Sequence, residues 1–382
     1  MMWASLFKVK EGLQFLRQHM DGQEKENALL QIPVDDTTTV LGKLVSELQA
    51  HLHGNTNKAT FDYNTVIISL YGYLEHFVEQ LVSEYVEFVN GIIPSFIKLP
   101  PEVQKKHLEM TLKVLSKADQ PKYAGKIRPE QMVANLHACF SAPDQYKLNV
   151  DAFTHHDANM RQGLVQELFA QCGIPNLSQH IRRSAQFRRF LLSEDPDREL
   201  EQYLAASDEI VFGRLSDLAE RRNNVAHGEP VDEILSHSML RPLIDFVESY
   251  CETLASVAYE HTLPQQAQYR SIELGNAIAV YNGRIVCVAL PSGRIHEGDT
   301  LIAKSEESYR AGPIVQLQRD KVRYAQIDGG EGVLIGMEVT FGAKQNQEFF
   351  LLTSSRNTVN VVPEEVNLVN DTDDLPAVPE PN

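Results

Sequence analysis

From 65 to 89 the chain places Ile67, Leu70, Leu74, Phe77, Leu81, Tyr85 and Phe88 at three- and four-residue spacing, the period of one helix face. Tyr71, Val78, Val82 and Val89 widen the stripe, so this helix is expected deep in a bundle, ending near Gly91 and Pro94. Earlier, Asp35-Asp36-Thr37-Thr38 precedes Val40, Leu41, Leu44, Val45 and Leu48, the pattern of a capped amphipathic helix. Further helices are expected over 101–116, 129–139, 160–172, 178–193, 197–222 and 238–259. The grammar changes near Pro264. From 271 to 353, short apolar runs alternate with turn residues, and Asn282-Gly283 between two such runs marks a hairpin, because both turn positions favour positive φ. The runs at 313–317, 332–335 and 348–352 repeat the pattern, and about six short strands in so little chain predict a small barrel or sandwich. After Val362 the chain is rich in Pro, Asp, Glu and Asn, a composition that buries too little to order itself.

The expected fold class is therefore multidomain, α then β. An N-terminal helical segment (1–60) packs on a helical bundle (61–262), a small β-barrel follows (268–354), and a disordered acidic tail closes the chain (355–382). The length of 382 residues leaves room for two or three domains. With 52 acidic against 35 basic residues the net charge is −17, which argues against a protein that coats nucleic acid or anionic membrane everywhere, while a local basic groove stays open. Part of that charge is in the tail, where six acidic residues and no basic one follow Arg356. Cys139, Cys172, Cys251 and Cys287 form no CxxC pair, so they read as buried thiols of a reducing compartment rather than as a disulfide or zinc framework. The first residues lack the long apolar stretch of a secretory signal, and no apolar run is long enough to span a bilayer. The expectation is a cytoplasmic protein without a membrane partner.

Chemistry concentrates in 215–228, LSDLAERRNNVAHG. On a helix, the core stripe runs Val211, Leu215, Leu218, Arg222, Val225, which puts a guanidinium where the pattern calls for an aliphatic side chain. Burying it alone costs several kcal/mol, so Arg222 should meet a counter-charge or face a cleft. Asn223 and His227 are four apart and share a face, whereas Arg222 and His227 lie about 140° apart around an ideal helix. They converge only through the length of the Arg222 side chain, through a distorted turn at Gly228, or across an interface between two copies. Arginine grips phosphate with a planar fork and stabilises added negative charge at phosphorus; histidine moves protons near neutral pH; asparagine orients either partner. The trio suits cleavage of RNA by its own 2′-hydroxyl, without metal. It equally describes a solvated, capped helix end.

The string Arg222-Asn223-Asn224-Val225-Ala226-His227-Gly228 resembles the Arg-polar-x-His signature of HEPN-domain ribonucleases, including the Asn after Arg and the Ala before His-Gly. Arg221 also fits the spacing; Arg222 is favoured because Asn223 follows it. The resemblance implies a HEPN-like helical domain, enlarged by insertions in 92–160, that dimerises to bring two Arg–His motifs into one composite site. It implies Arg222 and His227 as the catalytic pair with Asn223 assisting, an RNA substrate, no cofactor, and products ending in a 2′,3′-cyclic or 3′-phosphate and a 5′-hydroxyl. It further implies a toxin or antiviral effector, with a neutralising or activating partner protein. Many HEPN domains carry an acidic residue on an early helix facing the motif, which singles out Glu75; the alternative is a Glu at the margin of a buried face. Some HEPN domains serve only in binding or assembly, and that non-catalytic reading stays open.

Arg182, Arg183, Arg188 and Arg189 form the densest basic cluster and are candidate contacts for RNA phosphates, or a surface helix paired with Glu194, Asp195 and Asp197. His155-His156-Asp157 lacks the spacing of a metal motif, so no metal site is expected. No P-loop, GxSxG or GxGxxG occurs. In the C-terminal segment, Gly293 to Ile302, Pro313 to Leu317 and Gly332 to Val339 resemble the second, β-barrel domain of translation GTPases, which implies a binding module.

Overall fold

The apolar period read over 65–89 belongs to a helix longer than the period itself. A computed structural model of the chain describes residues 4–33, 39–52, 56–120, 125, 127–196, 199–229, 233–306 and 308–352. The proposed cap at 35–38 and the acidic tail lie outside the described residues. The chain divides into two compact units, Met1–Ala258 and Tyr259–Asn382.

The first unit is built from helices α1 (Ala4–Leu30), α2 (Val40–Leu52), α3 (Thr56–Ile92), α4 (Pro101–Leu115), α5 (Pro129–Ser141), α6 (Val150–Thr154) and α7 (Gln162–Gln171). It continues with α8 (Leu177–Arg183), α9 (Ala185–Glu194), α10 (Leu200–Ala205), α11 (Asp208–Val211), α12 (Gly213–His227) and α13 (His237–Glu260). Helix α3 is the spine: Ile67, Leu70, Leu74, Val78, Leu81 and Val82 are fully buried, and α1, α6 and α12 pack along it. Gly12 permits the close approach of α1, since a Cβ there would sit 2.7 Å from the Tyr73 ring. Four carboxylates and two arginines tie α1 to α13, with Arg17 on Asp245 and Glu248 and Arg241 on Asp21 and Glu24.

Two of the expected helices are broken. The span 178–193 is α8 and α9, because Ser184 takes extended dihedrals (φ −60°, ψ 127°) that re-aim α9. Phe187 then reaches an aromatic cluster with Phe212, Phe246 and Tyr250, at centroid distances of 5.9 Å to Phe212 and 6.2 Å to Phe246. The span 197–222 is α10, α11 and most of α12. The Arg182 guanidinium donates to the carbonyl oxygens of Leu204 and Ala206 and to Asp208, pinning the first break. Hydrophobic period alone does not register such breaks, because the groups that fix them, Arg182 for one and the Phe212–Phe246–Tyr250 cluster for the other, are distant in the chain.

The inserted segment 92–160 is organised by a buried polar network. His107, fully buried, stacks on Phe153, and its Nε2 accepts the Asn149 backbone N–H at 3.0 Å. Asn149 in turn donates to Thr111 Oγ1 and the Met132 carbonyl. Burial pushes the His107 imidazole from 6.5 down to about 4, so the ring is neutral and the Cys139 thiol, pushed up to about 11, stays protonated beside it. Between pH 6.5 and about 4 the unfolded chain binds a proton at His107 that the folded chain refuses. Acidification from pH 7 through this window is expected to cost the helical unit about 3 kcal/mol. Denaturant unfolding followed by helical circular dichroism at several pH values checks this. His107→Gln, which keeps an acceptor for Asn149 but does not titrate, is expected to lose that dependence.

The second unit opens with the last turn of α13 and α14 (Leu263–Arg270), then β1 (Ile272–Asn276), β2 (Ala279–Tyr281), β3 (Ile285–Ala289), β4 (Arg294–His296) and β5 (Thr300–Lys304). It ends with β6 (Tyr309–Arg319), β7 (Val322–Tyr324), β8 (Gln326–Asp328), β9 (Leu334–Val339) and β10 (Glu348–Leu352). The strands outnumber the six read from the runs because β4, β7 and β8 are only three residues long and β1, with Glu273, Gly275 and Asn276 among its five residues, is not an apolar run. The antiparallel path is β1-β10-β5-β6-β9-β3-β2, with β7 on β6 and a separate β4-β8 pair. Among the described residues no ladder joins β2 to β1, and the sheet curls into a half-barrel where the strand runs predict a small barrel or sandwich.

Asn282 and Gly283 take φ of 52° and 63° and turn β2 into β3, as the sequence demands. In β5, Leu301 and Ala303 face the half-barrel core with Val286, Met337 and Phe349, while Ile302 packs on Leu263 and Ala267 of α14. A strand covered on both faces explains the unbroken apolar run Leu301-Ile302-Ala303.

Candidate active site

Helices α3 and α12 bring the motif and its partners together. Leu215 and Leu218, fully buried, seat α12 against the core, and one further turn along the same stripe places Arg222 at the margin of the interface. Its guanidinium carbon sits 4.3 Å from the centroid of the Tyr71 ring, and Nη2 is 3.9 Å from Oε2 of Glu75. Nη1 donates to Asn223 Oδ1 at 3.0 Å. Arg222 and Glu75 each keep a little over a quarter of their side-chain surface exposed, so the guanidinium is held but not enclosed. With Asn223 Oδ1 engaged, its amide NH2 remains a donor, and the guanidinium fork offers more N–H groups than these contacts use.

Tyr71 is the hinge of this arrangement. Its hydroxyl donates to Glu75 Oε1 at 3.2 Å and accepts the Met160 backbone N–H at 2.8 Å, while its ring lies under Arg222. Burial raises the phenol above its ordinary value, so it stays protonated and able to donate. One turn on along α3, Glu79 Oε1 lies 3.0 Å from His156 Nε2, and His156 Nδ1 faces the Ala158 carbonyl at 2.9 Å. Acceptors at both ring nitrogens favour the imidazolium, and the Glu79 contact raises the His156 pKa. The carboxylates Glu75 and Glu79 of α3 are thereby engaged by Arg222 and His156 respectively.

Arg221, the other arginine of the motif, is tied elsewhere. It donates to Asp217, to the Tyr63 hydroxyl at 3.1 Å and to the Glu233 carbonyl. Arg222 is thus the arginine on the Tyr71–Glu75 side. His227 is the last residue of α12 and is exposed. The helix stays regular to that point and stops at Gly228, whose φ of 67° lets Glu229 N–H reach the Asn224 carbonyl at 2.9 Å and Gly228 N–H the Val225 carbonyl at 3.1 Å. The distorted turn that could have swung His227 toward Arg222 does not occur: the two remain about 140° apart on one helix.

The arginine cluster does not form a single basic face, because α8 and α9 are separate helices. Arg182 is mostly buried, spent on backbone carbonyls and Asp208, and Arg188 is half-buried with its Nε enclosed. Arg183 and Arg189 are exposed. His155 and His156 turn to different carboxylates, Asp157 and Glu79, and among the described residues no three metal-ligating side chains gather. Sequence reading missed Tyr71, Glu79 and His156 as parts of the site. Tyr71 was counted only in the apolar stripe, although its place four residues before Glu75 puts both on one face of α3.

No helix among the described residues is long and apolar enough to cross a membrane. No curated protein matches the chain. The family model described as RiboL-PSP-HEPN matches residues 41–260, which takes in the whole run from α3 to α12 and more than half of the sequence. The helical unit, with Arg222 and His227 on its penultimate long helix, is a HEPN domain, and the chain belongs to the RiboL-PSP-HEPN family.

Proposed function

We propose that this HEPN domain is a metal-independent endoribonuclease acting as a homodimer, and that its biological setting is that of a toxin or antiviral effector governed by a neutralising or activating partner protein. The observation that carries the reading is the Arg222 guanidinium, oriented by Tyr71, Glu75 and Asn223 yet open to solvent. An arginine so held is pre-organised for a planar anion, and its free donors suit the extra charge of a phosphorane. In the reaction the RNA 2′-hydroxyl attacks the adjacent phosphorus, giving up its proton to His227. A P–O bond forms to the 2′-oxygen, the P–O5′ bond breaks, and the departing 5′-oxygen takes a proton from an imidazolium. Asn223 hydrogen-bonds a non-bridging oxygen. The divergence of Arg222 and His227 along a regular helix supports a site completed by a second copy, since neither side chain alone supplies both charge stabilisation and proton transfer.

The test is chemical. An RNA carrying a single 2′-deoxynucleotide on the 5′ side of a mapped cut is expected to resist cleavage there, and the products of unmodified RNA are expected to end in 2′,3′-cyclic phosphate and 5′-hydroxyl. Cleavage at the deoxy position, or products bearing 5′-phosphates, contradicts attack by the 2′-oxygen.

A further inference from the structure

Between α6 and α7 the chain runs from His155 to Arg161 without helix or strand, so its placement depends on side-chain ties more than on a backbone ladder. Three ties hold it. His155 is buried, with Nε2 3.4 Å from Asp157, whose carboxylate also takes the Lys117 ammonium. His156, its side chain 9% exposed, sets one ring nitrogen against Glu79 Oε1 and the other against the Ala158 carbonyl. Met160, fully buried, donates its backbone N–H to the Tyr71 hydroxyl at 2.8 Å. That last tie ends beneath Arg222, because the same tyrosine carries the guanidinium over its ring and donates to Glu75.

The His156 tie needs a proton. A neutral imidazole has a single N–H, and here both ring nitrogens face oxygen acceptors, so only the imidazolium satisfies Glu79 and Ala158 together. The hydrogen bond to Glu79 raises the imidazole above its ordinary value, and burial opposes the rise without cancelling it. The charged groups around the ring are Glu79 and Glu75 on α3, and the His155–Asp157–Lys117 group on its own segment and beyond the end of α4. We propose that His156 is a positioning residue for Arg222: as an imidazolium it clamps the segment 156–160 to α3, the Met160 amide then holds Tyr71, and the tyrosine ring presents Arg222 to phosphate. Loss of that proton in mildly alkaline solution loosens the segment and slows cleavage. The proposal rests on the ribonuclease reading and adds to it a pH control exerted by a residue that touches no RNA.

Hydrogen exchange of the Met160 amide in the full chain, expressed against the unfolded-chain rate at each pH, reads the clamp without RNA. From about pH 6 to about pH 9 its protection is expected to fall about tenfold in wild type, the loss of one charge-assisted hydrogen bond. The Leu148 amide, which donates to Asn90, is expected to keep its protection over the same range. Glu79→Gln, which keeps an acceptor but removes the charge that favours the imidazolium, is expected to move the fall to lower pH. His156→Gln, which can donate to Glu79 but does not titrate, is expected to abolish it. In parallel, kcat for RNA cutting by wild type is expected to drop about tenfold on the alkaline side with KM little changed, and Glu79→Gln is expected to shift that drop by the same interval. Level protection of Met160 in wild type, a fall at an unchanged pH in Glu79→Gln, or a fall that persists in His156→Gln overturns the proposal. So does an alkaline drop in kcat that Glu79→Gln leaves in place. An exchange transition in a chain that never cuts RNA upholds the clamp and sinks the ribonuclease reading instead, so the two failures are distinct.

Discussion

Replacing Arg222 by alanine is expected to slow RNA cleavage by about 10²–10³-fold, the usual loss when a pre-organised donor to a developing oxyanion is removed. The expectation follows from how the side chain is held. The Tyr71 ring beneath it and the Glu75 carboxylate beside it fix the guanidinium, and Asn223 takes one N–H. Arg222→Lys retains a positive charge but not the planar fork, so it is expected to recover only a small part of the rate. The loss is not expected to come from unfolding. The Arg222–Glu75 pair is partly exposed and 3.9 Å apart, and such pairs contribute about 0–1 kcal/mol, with a stacked cation adding about as much. Initial rates on end-labelled RNA, taken beside thermal unfolding of the same variants, separate the two effects. A variant that folds normally and cuts at the wild-type rate removes Arg222 from the mechanism.

Mixing Arg222→Ala chains with His227→Ala chains is expected to restore about a quarter of the wild-type rate from two preparations that are each nearly inactive. In a two-fold dimer half of the randomly paired molecules are mixed, and each mixed dimer keeps one complete pairing of an intact Arg222 with an intact His227 from the other copy. The geometry motivates this. Helix α12 runs without distortion from Arg222 to His227, so one chain turns the guanidinium toward Tyr71 while its imidazole stands exposed at the helix end. Loss of single His227→Ala activity by about 10²–10⁴-fold sets the background against which restoration is read. If the mixture stays as inactive as its components while exchange of subunits is demonstrated, the two residues act within one chain.

What the sequence conveyed and what it hid follow from the range of the forces involved. Helix α3 was legible because a 3.6-residue apolar period is a local property, and the β2–β3 turn because only a few residue types accept two successive positive φ values, as Asn282 and Gly283 do. The breaks at Ser184 and near Ala206 were not, since they are fixed by Arg182 and by an aromatic cluster assembled from α9, α13 and the Phe212 junction ahead of α12. Strand spacing predicts a small barrel or sandwich, because it fixes the number of runs but not whether the last edge pairs with the first. At the site, the anomaly of an arginine on an apolar stripe pointed to Arg222, and Glu75 was reached through the family resemblance. Tyr71 was hidden by its own hydrophobicity: a tyrosine in a buried stripe reads as core until its hydroxyl is seen between Glu75 and the Met160 backbone.

The central claim is that Arg222 and His227 cut RNA without metal. End-labelled mixed RNA incubated with purified wild-type chain in excess EDTA, beside Arg222→Ala and His227→Ala, tests it most directly. The account predicts discrete fragments from wild type alone, bearing cyclic-phosphate ends. RNA left intact by wild type in EDTA but cut when a divalent cation is restored, or fragments produced equally by all three proteins, contradicts it.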